Sequence, residues 1–229
     1  MDDPTDNNIS DSLGSLGLGL VVSSPSPPPA SSSPQLIHQS ETKAIYRLYD
    51  TGYKVLLSPD PSADFAKLVH EQNISNFLPL SCRKRKVIDV TTFNERPALR
   101  FQWASGITLK EWIKKVENGP PVDQIVQIRA AMAIAKTLSD FHDGGVVYNK
   151  LTPDNIVLAP VEGEYVATLI DLSCALIYRD GGNNICADDD PAHERPMKDA
   201  DLKSLGVILN QLFRGGESTA LFAGEGSMN

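Results

Sequence analysis

Three polar residues in the second half of the chain have side chains that could do chemistry: Lys150, Asn155 and Asp171. A carboxylate and an amide oxygen are both ligands that Mg²⁺ accepts, so Asn155 and Asp171 could form a metal pair. They could also be structural residues that cap turns. Lys150 cannot act as a general base at neutral pH, since the unperturbed pKa of a lysine is about 10.4. It is either a cation that faces Asp171 or bound phosphates, or an ordinary surface lysine.

The composition narrows the class of protein. Lys and Arg number 21 and Asp and Glu 29, and the resulting net charge of -8 argues against binding to nucleic-acid phosphates. The apolar stretch from Leu13 to Val22 is short, rich in Gly and without a basic flank, so we expect neither a signal peptide nor a membrane span. The three cysteines form no CxxC pair, which favours reduced thiols and a location in the cytoplasm or nucleus.

Two hairpins are predicted in the first part of the chain. The first joins AIYRLYD to YKVLLS through Thr51-Gly52, and the second joins KVIDVTT to ALRFQW through FNERP. A short helix is predicted between them, over residues 62–70. The basic run Arg83–Lys86 could be a nuclear localisation signal or a patch for an acidic partner, but its position between strands favours a solvated strand or turn.

The second part of the chain is predicted to be mostly helical. TLKEWIKKVEN has helical spacing and Thr108 is its expected N-cap. The strands NIVLAP and YVATLIDL precede a more apolar helix, DLKSLGVILNQLF. A long amphipathic helix is predicted in DQIVQIRAAMAIAKTLSDFH from apolar residues that recur every three or four positions: Ile125, Ile128, Met132, Ala135, Leu138 and Phe141. Strands followed by helices predict the α+β class.

The two ends have the composition of flexible tails. Residues 1–35 are rich in Ser, Pro, Gly and Asp and are expected to be disordered, and residues 214–229 are expected to form a loose tail. The folded domain is therefore predicted over residues 36–213. The polar stretch RDGGNNICADDDPAHERP is expected to be a solvated loop.

Three motifs, in this order, resemble those of the protein kinase superfamily. Tyr148–Asn155 is similar to the catalytic loop H-R-D-L-K-P-E-N, Asp171–Ser173 is similar to D-F-G, and Asp201–Gly206 is similar to the D-x-W-S-L-G helix. The resemblance spans roughly residues 36–213. It implies a two-lobed α+β fold with a small β-rich N-lobe up to about residue 103, followed by a helical C-lobe. Because the family continues through further helices, it also implies that the C-lobe is incomplete.

The resemblance implies a role for each matched residue. Lys150 stands where the family has its catalytic Asp, while Asn155 and Asp171 stand where the family holds Mg²⁺. Asp201 is expected to accept hydrogen bonds from the backbone of the catalytic loop. Two residues that replace the family's packed His and Phe are expected to lie in the core: Tyr148 and Leu172.

The same resemblance predicts a degenerate nucleotide site. The three glycines that cover the phosphates correspond to His38, Ser40 and Lys43, whose side chains would crowd the ligand. An alignment without gaps matches V-A-I-K to residues 55–58, so that Ser58 replaces the phosphate-binding Lys and Leu56 points toward the adenine slot. The hinge corresponds to residues 101–104, whose backbone could face an adenine edge. The nucleotide-site positions assigned in this way are Ile45, Leu56, Ser58, Gln102 and Ala104.

These losses predict a catalytically impaired domain that acts as a binding or allosteric module in signalling. Its expected partners are proteins, with neither nucleic acid nor a membrane involved. No cofactor is expected, although ATP with Mg²⁺ stays a candidate ligand. The alternative is an atypical Ser/Thr protein kinase in which Lys43, Lys54 or Lys150 supplies the missing cation and Asp171 with Asn155 holds Mg²⁺. A small-molecule phosphotransferase of related fold and an incomplete gene product are further alternatives.

Overall fold

The structure is a computed structural model that describes residues 33–178 and 198–217. The predicted disordered tail up to residue 32, the whole of the predicted polar loop and the predicted tail from residue 218 lie outside the described residues. Among the residues that are described, no helix is both long enough and apolar enough to cross a membrane.

The first half of the chain forms a five-stranded antiparallel sheet with the order β1-β2-β3-β5-β4. One helix, α1 (Pro61–Phe77), packs against β4 and β5. A small core of Leu68, Val87 and Leu99 lies between this helix and the sheet. The strands are β1 (Gln35–Gln39), β2 (Lys43–Leu48), β3 (Thr51–Leu56), β4 (Val87–Phe93) and β5 (Arg96–Gln102).

Both predicted hairpins are confirmed, with differences at their ends. β2 pairs with β3 and β4 with β5, but the first turn lies at Tyr49-Asp50 rather than at Thr51-Gly52. Helix α1 is much longer than the predicted 62–70, and its N-cap Asp60 accepts hydrogen bonds from the next turn's backbone N–H groups. The first strand, β1, begins at Gln35, the last residue of the predicted tail.

The second half contains helices α2 (Leu109–Asn118), α3 (Gln124–Asp143) and α4 (Lys198–Glu217). Thr108 caps α2 through a capping box with Glu111, as predicted. Helix α4 continues to Glu217, past the predicted end of the domain at residue 213. The short strands are β6 (Ile107–Thr108), β7 (Val146–Val147), β8 (Ile156–Val161), β9 (Glu164–Leu169) and β10 (Leu176–Ile177). The α+β class is confirmed.

The main hydrophobic core lies where these helices pack on the β6-β8-β9 sheet. The two halves are joined by backbone hydrogen bonds just before β4: Arg85 N–H donates to Leu169 O (2.8 Å) and Leu169 N–H donates to Arg83 O (3.1 Å). This connection fixes the end of β9, and so the residues that follow it, next to the large sheet.

The predicted buried face of α3 is confirmed at Leu138 and Phe141, which are buried, but not in the first half of the helix. Ile125 and Met132 are 56% and 66% exposed, and Ile128 is also exposed. Two polar residues lie on the buried face instead: the Gln127 amide donates to Leu212 O (3.2 Å), and the Thr137 hydroxyl donates to Ala167 O (3.0 Å). Because backbone acceptors satisfy these polar groups, burying them beside the apolar residues of the same face costs little.

Asp201 at the start of α4 organises the loop after β7. Its carboxylate is 1% exposed and accepts hydrogen bonds from Tyr148 N–H (2.7 Å) and Asn149 N–H (2.8 Å). It also contacts His142 Nε2 at 3.0 Å. Asn149 has a φ of 58°, a left-handed conformation that Asn tolerates better than most residues and that turns its N–H toward the same carboxylate. This arrangement matches the backbone-accepting role expected for Asp201.

We predict that Asp201→Ala lowers the free energy of unfolding by about 2 kcal/mol or more, because each buried donor left unpaired costs about 1 to 3 kcal/mol. The measurement is urea denaturation followed by circular dichroism. Asp199→Ala, in the exposed first turn of the same helix, is the control and should change stability by less than about 0.5 kcal/mol. Equal urea midpoints for the two variants would contradict the role of Asp201.

Candidate functional site

The candidate site is centred on Asp171, which follows the end of β9. Its side chain is buried, and three ammonium groups contact it: Lys54 Nζ at 3.0 Å from Oδ1, Lys150 Nζ at 3.1 Å from Oδ2, and Lys43 Nζ at 3.4 Å from Oδ2. Lys43 comes from β2, Lys54 from β3 and Lys150 from the loop after β7. The sheet and the second half of the chain therefore meet at one carboxylate.

The most buried of these cations is Lys54, which is 4% exposed. It lies on β3 at the centre of the large sheet, and its ammonium group contacts Glu71 Oε2 of α1 at 2.6 Å. The other oxygen of Glu71 accepts a hydrogen bond from Leu172 N–H at 3.3 Å. Glu71 thus ties α1 both to β3 and to the segment that follows Asp171.

This finding corrects the register that the sequence alignment assigned to β3. The alignment placed the strand's phosphate-binding cation position at Ser58, where no cation stands. The structure instead brings Lys54 into the site, and Ser58 lies beyond the end of β3, where its hydroxyl donates to Asp60 O at 3.0 Å. The gapless alignment failed because β3 ends at Leu56, two positions before Ser58, and the lysine that enters the site lies four positions before Ser58. Lys54 was named among the replacement cations of the alternative hypothesis.

Lys150 lies over the site rather than on an open surface. Besides its contact with Asp171, its ammonium group is 3.5 Å from the Ser173 hydroxyl. Of the alternatives that the sequence left open, the geometry favours the cation that faces Asp171. The position at which the resemblance implies a general base therefore holds a positive charge in contact with the neighbouring carboxylate.

The residues proposed to hold Mg²⁺ do not fit a metal ion in this arrangement. Both oxygens of Asp171 already contact ammonium groups, so a divalent cation there would be placed against three positive charges. The Asn155 amide donates from Nδ2 to Lys150 O (3.0 Å), and its backbone O accepts from Ile170 N–H (3.0 Å). Asn155 thus acts as a structural link between the Lys150 loop and the segment that leads to Asp171. Across the described ranges 33–178 and 198–217, no three His, Cys, Asp or Glu side chains are grouped as metal ligands.

Tyr148 and Leu172 are both fully buried in the main core. The ring of Tyr148 packs edge-to-face on Phe141 with centroids 5.8 Å apart, and its hydroxyl accepts a hydrogen bond from Asp171 N–H at 3.3 Å. Burial, reinforced by the nearby charge of Asp171, raises the pKa of Tyr148, so the hydroxyl stays neutral. The Tyr148 hydroxyl thus holds the backbone of Asp171, and Leu172 anchors the next residue in the core.

A cavity of about 480 Å³, here called the main cleft, opens beside this cluster. Its apolar wall is formed by Ile37, Ile45, Val157 and Ile170, and Trp103 and Ala104 line its edge. A volume of this size is typical of small-molecule sites. Of the predicted nucleotide positions, Ile45 and Ala104 line the main cleft, whereas Gln102 lies at the exposed end of β5 and is not part of the wall.

A second cavity of about 260 Å³, here called the side pocket, shares Lys43, Lys54 and Asp171 with the main cleft. Leu56 and Ser58 line this side pocket and not the main cleft. Leu56 therefore does not fill the apolar part of the main cleft, which differs from the prediction that it points toward an adenine slot. The same register shift that displaces Ser58 also explains this difference.

Gly52, two residues before Lys54, stands at a close approach of two strands. A Cβ atom added to Gly52 would lie 2.2 Å from Cε2 of Phe101, whose ring is fully buried. The ring covers Gly52 on one side, and the guanidinium Cζ of Arg85 lies 4.0 Å from its centroid. Only glycine leaves room for Phe101 at this point in the sheet.

Arg85 is the second correction to the sequence analysis. A solvated strand or turn was expected for the basic run, but Arg85 is only 9% exposed and lines the main cleft. Burial lowers the pKa of its guanidinium, although an arginine keeps its charge in a protein. Its Nε is buried and has no hydrogen-bond partner among the described residues.

The charges in the cluster hold one another ionised. Burial alone would lower the pKa of Lys54, but the charges of Glu71 and Asp171 outweigh it and raise that pKa. Burial alone would raise the pKa of Asp171, but Lys54, the Ser173 hydrogen bond and Lys43 outweigh it and hold that pKa well below its usual range. At neutral pH the site therefore contains ammonium groups and carboxylates.

Sequence reasoning missed two residues of the site, Glu71 and Arg85. Glu71 fell outside the predicted helix, which ended at residue 70. The available signal was its place in the stripe Leu68, Glu71, Ser75, Leu78, in which residues three or four positions apart share one buried face of α1. No comparable pattern marks Arg85, because it is one of four consecutive basic residues.

No model of a known protein family matches this chain, and no curated protein matches it either.

We predict that Lys54→Met lowers the free energy of unfolding by about 3 to 5 kcal/mol, because it leaves the buried Glu71 carboxylate without a counter-charge. Urea denaturation at pH 7 measures the change. Lys86→Met, at an exposed position, is the matched control and should change stability by less than about 0.5 kcal/mol. A Lys54→Met variant as stable as this control would contradict the buried ion pair.

A further prediction concerns acid. Asp171 has a pKa well below its usual range when folded, against about 3.9 when unfolded, so it contributes stability that is present above pH 4 and is lost as the pH falls through the folded pKa. The stability difference between the wild type and Asp171→Asn should therefore shrink steadily below about pH 4. Urea midpoints between pH 2 and 7 test this. Asp50→Asn, in the exposed turn between β2 and β3, is the control for replacing an aspartate outside the cluster. A stability difference between the wild type and Asp171→Asn that does not change with pH would refute the lowered pKa of Asp171.

Proposed function

We propose that this chain is a two-lobed protein-kinase-like domain that is catalytically impaired and acts as a binding or allosteric module in signalling. The support for the fold is the order of parts: a five-stranded sheet with one helix, then a helical part, with a cleft at the cluster between them. The positions of Lys54, Asp171 and Asp201 further support it, since the resemblance assigns related roles to a strand cation and to both aspartates.

The observation that carries the impaired function is the contact between Lys150 and Asp171. A general base must accept a proton from the substrate, and an ammonium group 3.1 Å from a carboxylate cannot do so at neutral pH. Loss of general-base catalysis commonly costs about two to four orders of magnitude in rate. The same ammonium group opposes a divalent metal at Asp171, so two requirements of phosphoryl transfer are lost through one residue.

We infer that the function of the domain is to bind other molecules. The proposed partners are proteins, and the excess of acidic residues disfavours nucleic acid. The described thiols, Cys82 and Cys174, are both free, which is consistent with the reducing interior of the cytoplasm or nucleus proposed for the chain.

The alternative, an atypical Ser/Thr protein kinase that uses ATP, is favoured by one specific observation. The Lys54 ammonium group lies between Glu71 (2.6 Å) and Asp171 (3.0 Å), so the strand supplies a buried cation after all. This cation could contact phosphates, but it does not replace the missing base.

A phosphotransfer assay tests the proposal. The purified chain is incubated with radiolabelled ATP and Mg²⁺, with casein as an acceptor protein, and we expect no more incorporation in the wild type than in Asp171→Ala. Lys54→Met is a second negative control, and cooperative thermal unfolding shows that each preparation is folded. Incorporation by the wild type that disappears in both variants would establish the alternative kinase function.

A further inference from the structure

Asp64 is a buried residue whose carboxylate has no partner in the described part of the chain. The residue is 2% exposed, and neither a hydrogen bond nor an ion pair joins its side chain to any residue in the ranges 33–178 and 198–217. It lies in the first turn of α1 but does not cap the helix, because Asp60 already accepts the hydrogen bonds of Ser62 and Ala63 N–H. Burying an unpaired charge is costly, so native proteins bury few of them without a reason.

The carboxylate of Asp64 faces the side pocket. Asp64 lines this pocket and not the main cleft. Among the described residues, only Arg85 has a side-chain polar atom that is both sealed from solvent and without a partner, so the carboxylate oxygens of Asp64 keep some access to the pocket. A ligand in the side pocket could therefore give this carboxylate the hydrogen-bond donor that the protein does not supply.

A cation without a counter-charge lies one turn further along the same helix. Lys67 also lines the side pocket and not the main cleft, is exposed, and forms no ion pair with any described residue. Residues three positions apart share one side of a helix, yet the ammonium group of Lys67 does not contact the carboxylate of Asp64. The side pocket thus presents two separate charges of opposite sign, about one helical turn apart.

The other charged residues of the side pocket belong to the cluster around Asp171. In that cluster three ammonium groups, those of Lys43, Lys54 and Lys150, face the two carboxylates of Glu71 and Asp171. The cluster therefore carries one excess positive charge. A ligand that is only cationic would be repelled by this excess, and a ligand that is only anionic would leave the nearby unpaired carboxylate without a partner. A zwitterion, with one ammonium group and one carboxylate, matches the pocket at both ends.

We propose that the side pocket binds an α-amino acid, whose ammonium group pairs with Asp64 and whose carboxylate contacts Lys67. The two charged groups of an α-amino acid are attached to one carbon atom, so the ligand can bridge side chains that lie about one turn apart. The pocket volume of about 260 Å³ is below the range typical of drug-sized ligands, and the walls formed by Leu56 and Leu68 favour a ligand with an apolar side chain. The inference goes beyond the proposed function and stands without it, because neither Asp64 nor Lys67 belongs to a motif that resembles the kinase family.

Isothermal titration calorimetry on the full chain at pH 7 tests the proposal, with L-leucine, L-valine and L-methionine as probes, each titrated alone. We expect saturable binding of at least one of them. The N-acetyl derivative of that amino acid lacks the ammonium group, and the corresponding decarboxylated amine lacks the carboxylate. The N-acetyl derivative should bind at least about tenfold more weakly than the amino acid, and the amine should also bind more weakly. No binding of any of the three probes, or equal binding of an amino acid and its N-acetyl derivative, would overturn the inference.

Two variants test the assigned residues. Asp64→Asn keeps the shape of the side chain but removes its charge, and it should weaken amino-acid binding by about tenfold or more, the loss expected for one charge-assisted contact. Lys67→Gln should weaken binding by about threefold, because contacts between exposed charges contribute less. The matched controls are Asp50→Asn and Lys86→Gln, both at exposed positions outside the side pocket, and they should bind as the wild type does. Wild-type affinity in Asp64→Asn would overturn the inference.

Thermal unfolding without ligand separates a binding role of Asp64 from a structural one. A carboxylate in the first turn of a helix can stabilise the helix through its dipole. If Asp64 serves a ligand, Asp64→Asn removes an unpaired buried charge, and its melting temperature should equal or exceed that of the wild type. A lower melting temperature together with unchanged amino-acid affinity would overturn the assignment. The phosphotransfer assay is independent of these measurements: a chain that binds no amino acid refutes only the inference, whereas Mg²⁺-dependent phosphotransfer refutes only the proposed function.

Discussion

The structure depends on the sharing of one buried carboxylate, Asp171, among three ammonium groups. Lys54 is the member that the fold cannot lose, because it is also paired with Glu71 and so joins the centre of the large sheet to α1. Glu71 in turn accepts from Leu172 N–H, directly after Asp171. Each charge in this cluster is compensated by its neighbours in the cluster. The positions of α1, the large sheet and the segment after β9 therefore depend on one another.

The same cluster changes what the cleft can recognise. A carboxylate that faced open solvent could take a metal ion, but one that already contacts Lys43, Lys54 and Lys150 is neutralised by the protein itself. Positive charge then faces the cleft where metal chemistry would need negative charge. The proposed loss of catalysis thus depends on a single lysine, Lys150, at the position that the resemblance assigns to a base.

The features that depend on residues close together in the sequence, or on a short motif, were predicted correctly. The two hairpins, the N-cap at Thr108 and the acceptor role of Asp201 all follow from residues close together in sequence or from a motif, and the structure has each of them. Contacts between residues far apart in the sequence were harder to predict. The gapless alignment assigned the cation position to Ser58 instead of Lys54, and Glu71 lay just beyond the predicted end of the first helix. The periodicity of α3 predicted the burial of Leu138 and Phe141 but could not reveal the acceptors on α4 and β9 that allow Gln127 and Thr137 to be buried as well.

Arg85 shows why charge runs are ambiguous in a sequence. Its neighbours Arg83 and Lys86 are exposed, so composition alone gives no reason to bury the residue between them. What buries it is the packing of Phe101, whose ring lies on Gly52 on one side and against the guanidinium. A side chain at position 52 would clash with this ring, because its Cβ would lie 2.2 Å from Cε2 of Phe101. The register of β3 against β5, which brings Gly52 opposite Phe101, therefore also fixes where the Arg85 guanidinium meets the main cleft.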